Sequence, residues 1–438
     1  MRLLRLAPVA LVLLALVAAP AAARTVRYGG EAVRVPAGWP VIRLAEHPRL
    51  CVRLDRRAVY LGRPGAAQRC PSHAIGGRRA ILVEPRPRAR PLAAASAIGP
   101  PVAAASPSSD AFTGLGFDAC AAPSKQAMRS WLSSPYRAVG VYIGGANRAC
   151  SQPNLTPAWV AEQVAAGWHL IPTYVGLQAP TSACGSCAKL SAAGATKQGA
   201  EAAADAVGDA QAIGMGPGSP IYFDMEAYTR TTKATQATLA FLASWTNRLH
   251  ALGYQSGVYS SSASGIADLA REHGSGYLEP DHIWFANWNN RRNALDPYLS
   301  PEMWPLHQRI HQYRGGHNET YGLVTINIDN DYVDAATVGA ASAPPSLSVR
   351  HVRARSRTVK LWVRCGEDCL GHLVLRSGGL GIGWRAFELG GGNSHTFRFA
   401  LNQRGRGLLA RKGSLKAKLL VAIAGSRVTH PVQLSRRR

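Results

Sequence analysis

The sequence predicts a multidomain protein: a central (β/α)8, TIM-like barrel flanked by a small N-terminal β-rich domain and a C-terminal β-sandwich. Three observations predict it. The 438 residues exceed what one hydrophobic core usually supports. The middle of the chain alternates short β-type runs with helical stretches. Both flanks alternate apolar and polar residues at the strand period, with turn residues between the runs.

The chain opens with Arg2 and Arg5 ahead of an apolar run from Leu11 to Val17, and Ala21-Ala22-Ala23 precedes Arg24. This is the layout of a secretory signal peptide over residues 1–23, cleaved after Ala23. A retained signal anchor is the alternative. The run is shorter than the roughly 20 residues of a membrane-spanning helix, and no later segment is apolar enough to cross a bilayer. A secreted protein, extracellular or associated with the cell wall, is expected, with no transmembrane segment after cleavage.

Residues 24–84 read as the small β-rich domain, from runs such as Glu31-Ala32-Val33-Arg34-Val35 and Ala80-Ile81-Leu82-Val83. Residues 85–111 are Pro-, Ala-, Ser- and Arg-rich and read as a linker. The barrel is expected over 112–340. Its β-type runs fall at 114–118, 138–143, 169–175, 220–225, 255–259, 282–286, 309–313 and 325–331. Helical stretches lie at 157–166 after a Thr156 N-cap, at 197–213, and at 235–252 ending at Gly253. Eight strands with intervening helices have the rhythm of a (β/α)8 barrel. A doubly wound open sheet is the alternative, disfavoured because no Gly-rich phosphate loop follows the first strand. After Ala343-Pro344-Pro345, residues 345–436 carry repeated alternating runs and read as a β-sandwich of immunoglobulin-like size.

The eight cysteines fall into local pairs, Cys51/Cys70, Cys120/Cys150, Cys184/Cys187 and Cys365/Cys369. In an oxidising compartment these read as disulfides. Cys184-Gly-Ser-Cys187 also has the spacing of a redox or zinc motif, but it lacks a second metal pair and a helix starting at its first Cys. No metal and no cofactor is expected.

Lys and Arg number 50 against 25 Asp and Glu, a formal net charge of +25. That field draws a protein toward anionic wall polymers, among other polyanions; a GC-rich coding bias accounts for an Arg excess equally well. No basic helix, zinc-finger spacing or basic–aromatic interleaving marks a specific nucleic-acid partner.

Barrel chemistry gathers at the C-terminal ends of strands. The most informative end is Pro220-Ile221-Tyr222-Phe223-Asp224-Met225-Glu226. Residues i and i+2 share a face, roughly 6–7 Å apart, so Asp224 and Glu226 are expected to point together into the mouth. Two such carboxyls do not ionise independently, and one keeps a proton near neutral pH. Glycosidic cleavage needs that division: an acid for the leaving oxygen and a negative group for the oxocarbenium-like sugar. Asp118 ends the first strand and Asp329 lies in the last, and a closed barrel makes those strands neighbours. The bland alternatives are that Asp118 caps a turn and that Asp329–Asp331 is a solvated loop or weak calcium site. Tyr142, Tyr174, Gln178, Tyr259, Trp288 and Gln312, in or near strand ends, are expected to bind substrate. Core packing is the commoner role for any one aromatic. No G-x-S-x-G elbow is present, and His307 and His311 fall in a predicted strand without an adjoining Glu.

Gly116-Phe117-Asp118-Ala119-Cys120, Val141-Tyr142-Ile143-Gly144-Gly145, Tyr222-Phe223-Asp224-Met225-Glu226 and Gln312-Tyr313 with Ile328-Asp329 resemble a secreted, actinobacterial glycoside-hydrolase-like barrel family of unknown function. The resemblance covers about 111–340. That family is similar to the family-25 lysozymes (N-acetylmuramidases). The resemblance implies a catalytic set of Asp118, Asp224, Glu226 and Asp329, with Glu226 as general acid. It further implies that the substrate's own N-acetyl group attacks the anomeric carbon while Asp224 steadies it. The expected partner is N-acetylated cell-wall polysaccharide such as peptidoglycan. A non-catalytic wall-glycan-binding protein is the competing reading, and phosphodiester cleavage a weaker third.

Overall fold

The computed structural model describes residues 23–85, 108–305, 307–339, 347–366, 369–378, 380–389, 392–423 and 426–435. The expected signal peptide, apart from Ala23, and most of the expected linker lie outside the described residues, as does the tail Arg436-Arg437-Arg438.

In the N-terminal region, β1 (Arg24–Tyr28) and β2 (Glu31–Val35) form an antiparallel hairpin. A three-stranded parallel sheet follows, made of β3 (Val41–Arg43), β4 (Val59–Leu61) and β5 (Ile81–Val83). This module is β-rich as expected, but it does not stand apart. Leu54 N–H donates to Ala149 O at 2.6 Å, Ser151 N–H to Val52 O at 3.1 Å and Gly76 N–H to Asn147 O at 2.9 Å. Those acceptors and donors belong to the barrel, so the module is hydrogen-bonded onto it.

The barrel elements run β6 (Ser108–Asp118), α1 (Lys125–Trp131), β7 (Tyr136–Gly144), α2 (Pro157–Ala165), β8 (His169–Tyr174), α3 (Ala195–Ala212), β9 (Pro220–Asp224), α4 (Thr232–Ala251), β10 (Gln255–Ser261), α5 (Ala267–Glu272), β11 (His282–Ala286), β12 (Gln308–Tyr321) and β13 (Val324–Gly339). The eight strands β6–β13 close into one barrel. Local sequence starts the helices: Thr156 and Thr231 accept from the N–H groups of Trp159 and Ala234, and Pro157 opens α2. Alternate strand residues divide into two apolar layers. Ala138, Ile171, Tyr222, Tyr259, Trp284, Ile310, Val333 and Ala335 fill the barrel. Their outward neighbours, such as Val139, Leu170 and Phe223, pack beneath the helices.

One expectation is corrected. The strands are not all parallel, because β13 runs antiparallel to both β12 and β6. The connection explains this. Tyr321 pairs with Val324, so only Gly322 and Leu323 link β12 to β13, and both have positive φ (51° and 66°). That is a two-residue hairpin turn. A parallel return needs a crossover of a dozen or more residues.

Beyond the barrel, β14 (Leu347–Arg355), β15 (Thr358–Cys365) and β18 (Ser394–Ala400) form one antiparallel sheet. The strands β16 (Cys369–Ser377), β17 (Leu380–Leu389), β19 (Ser414–Ile423) and β20 (Ser426–Ser435) form a second. Both sheets, with Leu409 of α6 (Gln403–Lys412), contribute to a single core. The disulfides Cys51–Cys70, Cys120–Cys150 and Cys184–Cys187 are formed, and Cys365 is disulfide-bonded. The side chain of Cys369, its expected partner, lies outside the described residues. Among the described residues no helix is long and apolar enough to cross a membrane.

Candidate active site

Strand parity brings the four expected acids to one end of the barrel. In β9, Tyr222 fills the interior, so Asp224 also faces inward, and Glu226 follows just beyond the strand. Asp118 is the last residue of β6, and the antiparallel register sets Asp329 directly opposite it. Gly140 lets the walls approach: a Cβ there would lie 2.6 Å from Asp118 Cβ and 3.1 Å from the Trp284 ring. Asp118, Asp224 and Asp329 are buried, and Glu226 is partly exposed.

A fifth group, absent from the sequence-based set, stands among them. His73 reaches in from the N-terminal module. Its Nε2 lies 2.9 Å from Glu226 Oε1, and its Nδ1 lies 2.7 Å from the Tyr142 hydroxyl. A ring nitrogen of His73 and carboxylate oxygens of Asp224 and Glu226 lie within 4.8 Å of one another, as do those of His73, Asp118 and Asp329. The imidazole thus joins the two acid pairs. The preceding residue is anchored too, with Ser72 N–H donating to Asn327 Oδ1 at 2.7 Å.

These contacts set the protonation of the site. Burial alone lowers the His73 pKa, but the charge and hydrogen bond of Glu226, with Asp224 and Asp329 behind it, push it up to about 10. Burial raises Glu226, yet the His73 charge and hydrogen bond outweigh it and hold this carboxyl below its ordinary range. Asp224 moves the other way: burial and the negative Glu226 raise it well above the carboxylate range. These opposite directions leave Asp224 the protonated member of the pair and Glu226 the charged one. Asp118 is raised by burial and by the charges of Asp329 and Asp331. Asp331, inside the barrel with Trp284 Nε1–H donating to it at 3.0 Å, is raised by burial and Asp329.

The expected substrate-binding residues divide. Tyr142 and Tyr259 face the acids. Trp288 stands at the rim, 64% exposed, with its Nε1–H on Gln312 Oε1 at 3.0 Å. Gln312 is buried and its amide is used within the protein. Its Nε2 donates to Asp118 Oδ2 at 2.8 Å and to Asp329 Oδ2 at 3.4 Å, while Oε1 also accepts from the Tyr259 hydroxyl at 3.1 Å. Gln178 holds backbone rather than offering itself to a ligand, donating to Asp224 O and accepting from Glu226 N–H, each at 2.8 Å. Tyr174 is corrected outright. It lies one residue after the inward-facing Thr173, so it points outward, packs on Phe223 and Trp245, and donates to Asp205 Oδ2 of α3 at 2.5 Å.

His73 carries no signal in the sequence that tells it from the other histidines of the chain; only docking of the module brings it to the acids. On the outer side of the same segment lies a groove of about 680 Å³, lined by Arg49, Arg69, Gln126, Asn154, Asn318 and Asn327 among others. Asn327 is therefore shared between the groove and the anchor of Ser72.

Comparison with known proteins bears on this barrel. No curated protein matches the chain by sequence. Solved structures similar to it include the Mycobacterium tuberculosis Tat-secreted protein Rv2525c in complex with L-tartrate (15% identity, 50% of this chain and 94% of that one, TM-score 0.35). The Clostridium perfringens spore cortex lytic enzyme SleM is another (15%, 75% and 98%, TM-score 0.35). So is the modular autolysin LytC of Streptococcus pneumoniae (14%, 50% and 46%, TM-score 0.34). At TM-scores below 0.5 these likenesses carry no argument about the chain. The sequence of residues 129–333 matches the model of the Rv2525c-like, glycoside hydrolase-like domain. That span holds Asp224, Glu226 and Asp329 and leaves His73 and Asp118 outside. Over those residues the barrel of this chain is similar to the Rv2525c-like, glycoside hydrolase-like domain.

Proposed function

We propose that the protein is a secreted glycoside hydrolase acting on N-acetylated cell-wall polysaccharide such as peptidoglycan, with Asp118, Asp224, Glu226 and Asp329 as its carboxyl set. One observation carries the reading: four carboxyls distant in sequence meet at the mouth of a barrel similar to a glycoside hydrolase-like domain. Within that set Asp224 and Glu226 have opposite protonation tendencies, the division that general-acid cleavage of a glycosidic bond requires. The exposed rim Trp288 offers a stacking face suited to a sugar ring. Disulfides that persist in oxidising surroundings support the extracellular setting.

The test is release of reducing ends. Purified mature protein is incubated with peptidoglycan and with chitooligosaccharides, beside Glu226→Gln and Asp224→Asn. New reducing ends from wild type that drop about 10²–10⁴-fold in either variant are expected. Equal release from the variants, or none from wild type, rejects the hydrolase. Retention on walls without cleavage identifies the glycan-binding alternative, which the engagement of Glu226 by His73 favours.

A further inference from the structure

We propose that the active site is completed by the N-terminal module, with His73 as a positioning residue that holds Glu226 as the anion and leaves Asp224 as the proton donor. The inference rests on the hydrolase reading and assigns its roles. Geometry carries it. The imidazole sits between Glu226, whose Oε1 lies 2.9 Å from Nε2 as an ion pair, and the Tyr142 hydroxyl, hydrogen-bonded to Nδ1 at 2.7 Å, so both ring nitrogens are engaged. Groups from each neighbouring wall face it: Asp224 and Glu226 at the end of β9, Asp118 from β6, Asp329 from β13 and Tyr142 from β7. Apart from Tyr142 these are acids; the cations acting on them are His73 and, for Asp329, also His317.

The segment that presents His73 is fixed on both sides. Ser72 N–H is held by Asn327, Ile75 bridges to Arg148, and Gly77 N–H donates to Ser186 O at 3.0 Å. The Cys51–Cys70 disulfide ends three residues before His73, and Cys51 Sγ lies 3.8 Å from Cys150 Sγ of the barrel's Cys120–Cys150 bridge. So many backbone contacts fit a built-in wall of the site better than a flap that swings away.

The chemistry follows from where the proton sits. As the glycosidic C–O bond breaks, its electron pair goes to the leaving oxygen, which takes the proton of Asp224. Water then adds to the sugar carbon and returns a proton to Asp224, so the balance closes on that residue. Glu226 stays charged throughout, paired with His73 and facing the positive sugar carbon. This exchanges the roles that the lysozyme resemblance implies for Asp224 and Glu226.

The experiment uses full-length mature protein and two readouts. In the first, NMR of isotope-labelled histidine follows each imidazole with pH, and His73→Gln identifies the His73 signal. That signal is expected to stay doubly protonated well above 6.5 and to move back toward it in Glu226→Gln. The second is the pH–rate profile on the substrate that wild type cleaves. His73→Gln is expected to move the acidic limb to higher pH, because Glu226 loses its cation, and His73→Lys to restore it. Melting curves establish that each variant is folded. A His73 signal titrating near 6.5 in wild type, or one unmoved by Glu226→Gln, overturns the inference whatever the protein cleaves. A His73→Gln variant more active than wild type at every pH overturns it too, since His73 is then a plug. A locked imidazolium in a wild type that releases no reducing ends rejects the hydrolase, and with it the donor role of Asp224, while the ion pair stands.

Discussion

Asp329 stands directly opposite Asp118 across the antiparallel pairing of β13 with β6, and one amide nitrogen, Nε2 of Gln312, touches both carboxyls. Two buried acids in that position repel when ionised, and burial with neighbouring charge raises Asp118 in particular. Gln312 opposes this by donating to the charged form. Removing it as Gln312→Leu is expected to destabilise the protein by about 1–3 kcal/mol, the usual cost of a lost hydrogen bond to a charged group. Gln312→Glu, which adds a third carboxyl, is expected to cost more. Urea unfolding of both variants checks the order.

Asp331 is a buried acid outside the expected catalytic set, and its protein-internal surroundings disfavour its charge. In an unfolded chain it ionises near 3.8, in the fold only at higher pH. The penalty is therefore absent below 3.8, grows as pH rises toward the folded value and is constant above it. Asp331→Asn keeps an oxygen for the Trp284 Nε1–H. It is expected to raise the melting temperature at pH 7–8 and to leave it unchanged near pH 3. A loss of stability at pH 7 counts against a strained carboxyl.

The His73–Glu226 pair has a stability signature of its own. His73 ionises at 6.5 when unfolded and at about 10 in the fold, so its contribution is complete below 6.5 and fades as pH rises toward 10. Glu226 is held below its ordinary 4.5, so its contribution is complete above 4.5 and fades as pH falls through the lower folded value. The melting difference between wild type and His73→Gln is expected to be largest between pH 4.5 and 6.5 and to shrink on both sides. A difference flat from pH 5 to 10 removes the electrostatic explanation.

Two residues read from sequence as sugar contacts are expected to behave differently from Trp288. Tyr174→Phe removes a hydroxyl bonded to Asp205 on the outer side of the barrel, so kcat and KM are expected to stay at wild-type values with a small loss of stability. Gln178→Ala frees the backbone that carries Asp224 and Glu226, so kcat is expected to fall while KM changes little. Trp288→Ala, at the exposed rim, is expected to raise KM with kcat nearly kept. Kinetics on the cleaved oligosaccharide separate the three.

Each of the eight barrel strands contains a run legible in the sequence, but β6, β12 and β13 extend to 11, 14 and 16 residues, well past those runs. Helices α2, α3 and α4 were legible from caps and spacing. The short helices α1 and α5, of seven and six residues, were not, because one or two turns give too little periodicity to read. The direction of the last strand was missed because apolar alternation is the same whichever way a strand runs. The clue was the gap between the seventh and eighth runs, too short to hold a crossover. Nearness to a strand end does not make Tyr174 face inward. Parity decides that, and Thr173 holds the inward place.

The primary structure by itself determined which local runs become strands and which acids lie at inward-facing strand positions; each depends on neighbours a few residues apart. Tertiary structure alone decided that Asp118 and Asp329 share one amide, and that His73 of a separate module sits against Glu226. The reason is physical. Charge interactions act through space at a few ångströms, and residues 73 and 226 come that close only once the N-terminal module has docked on the closed barrel.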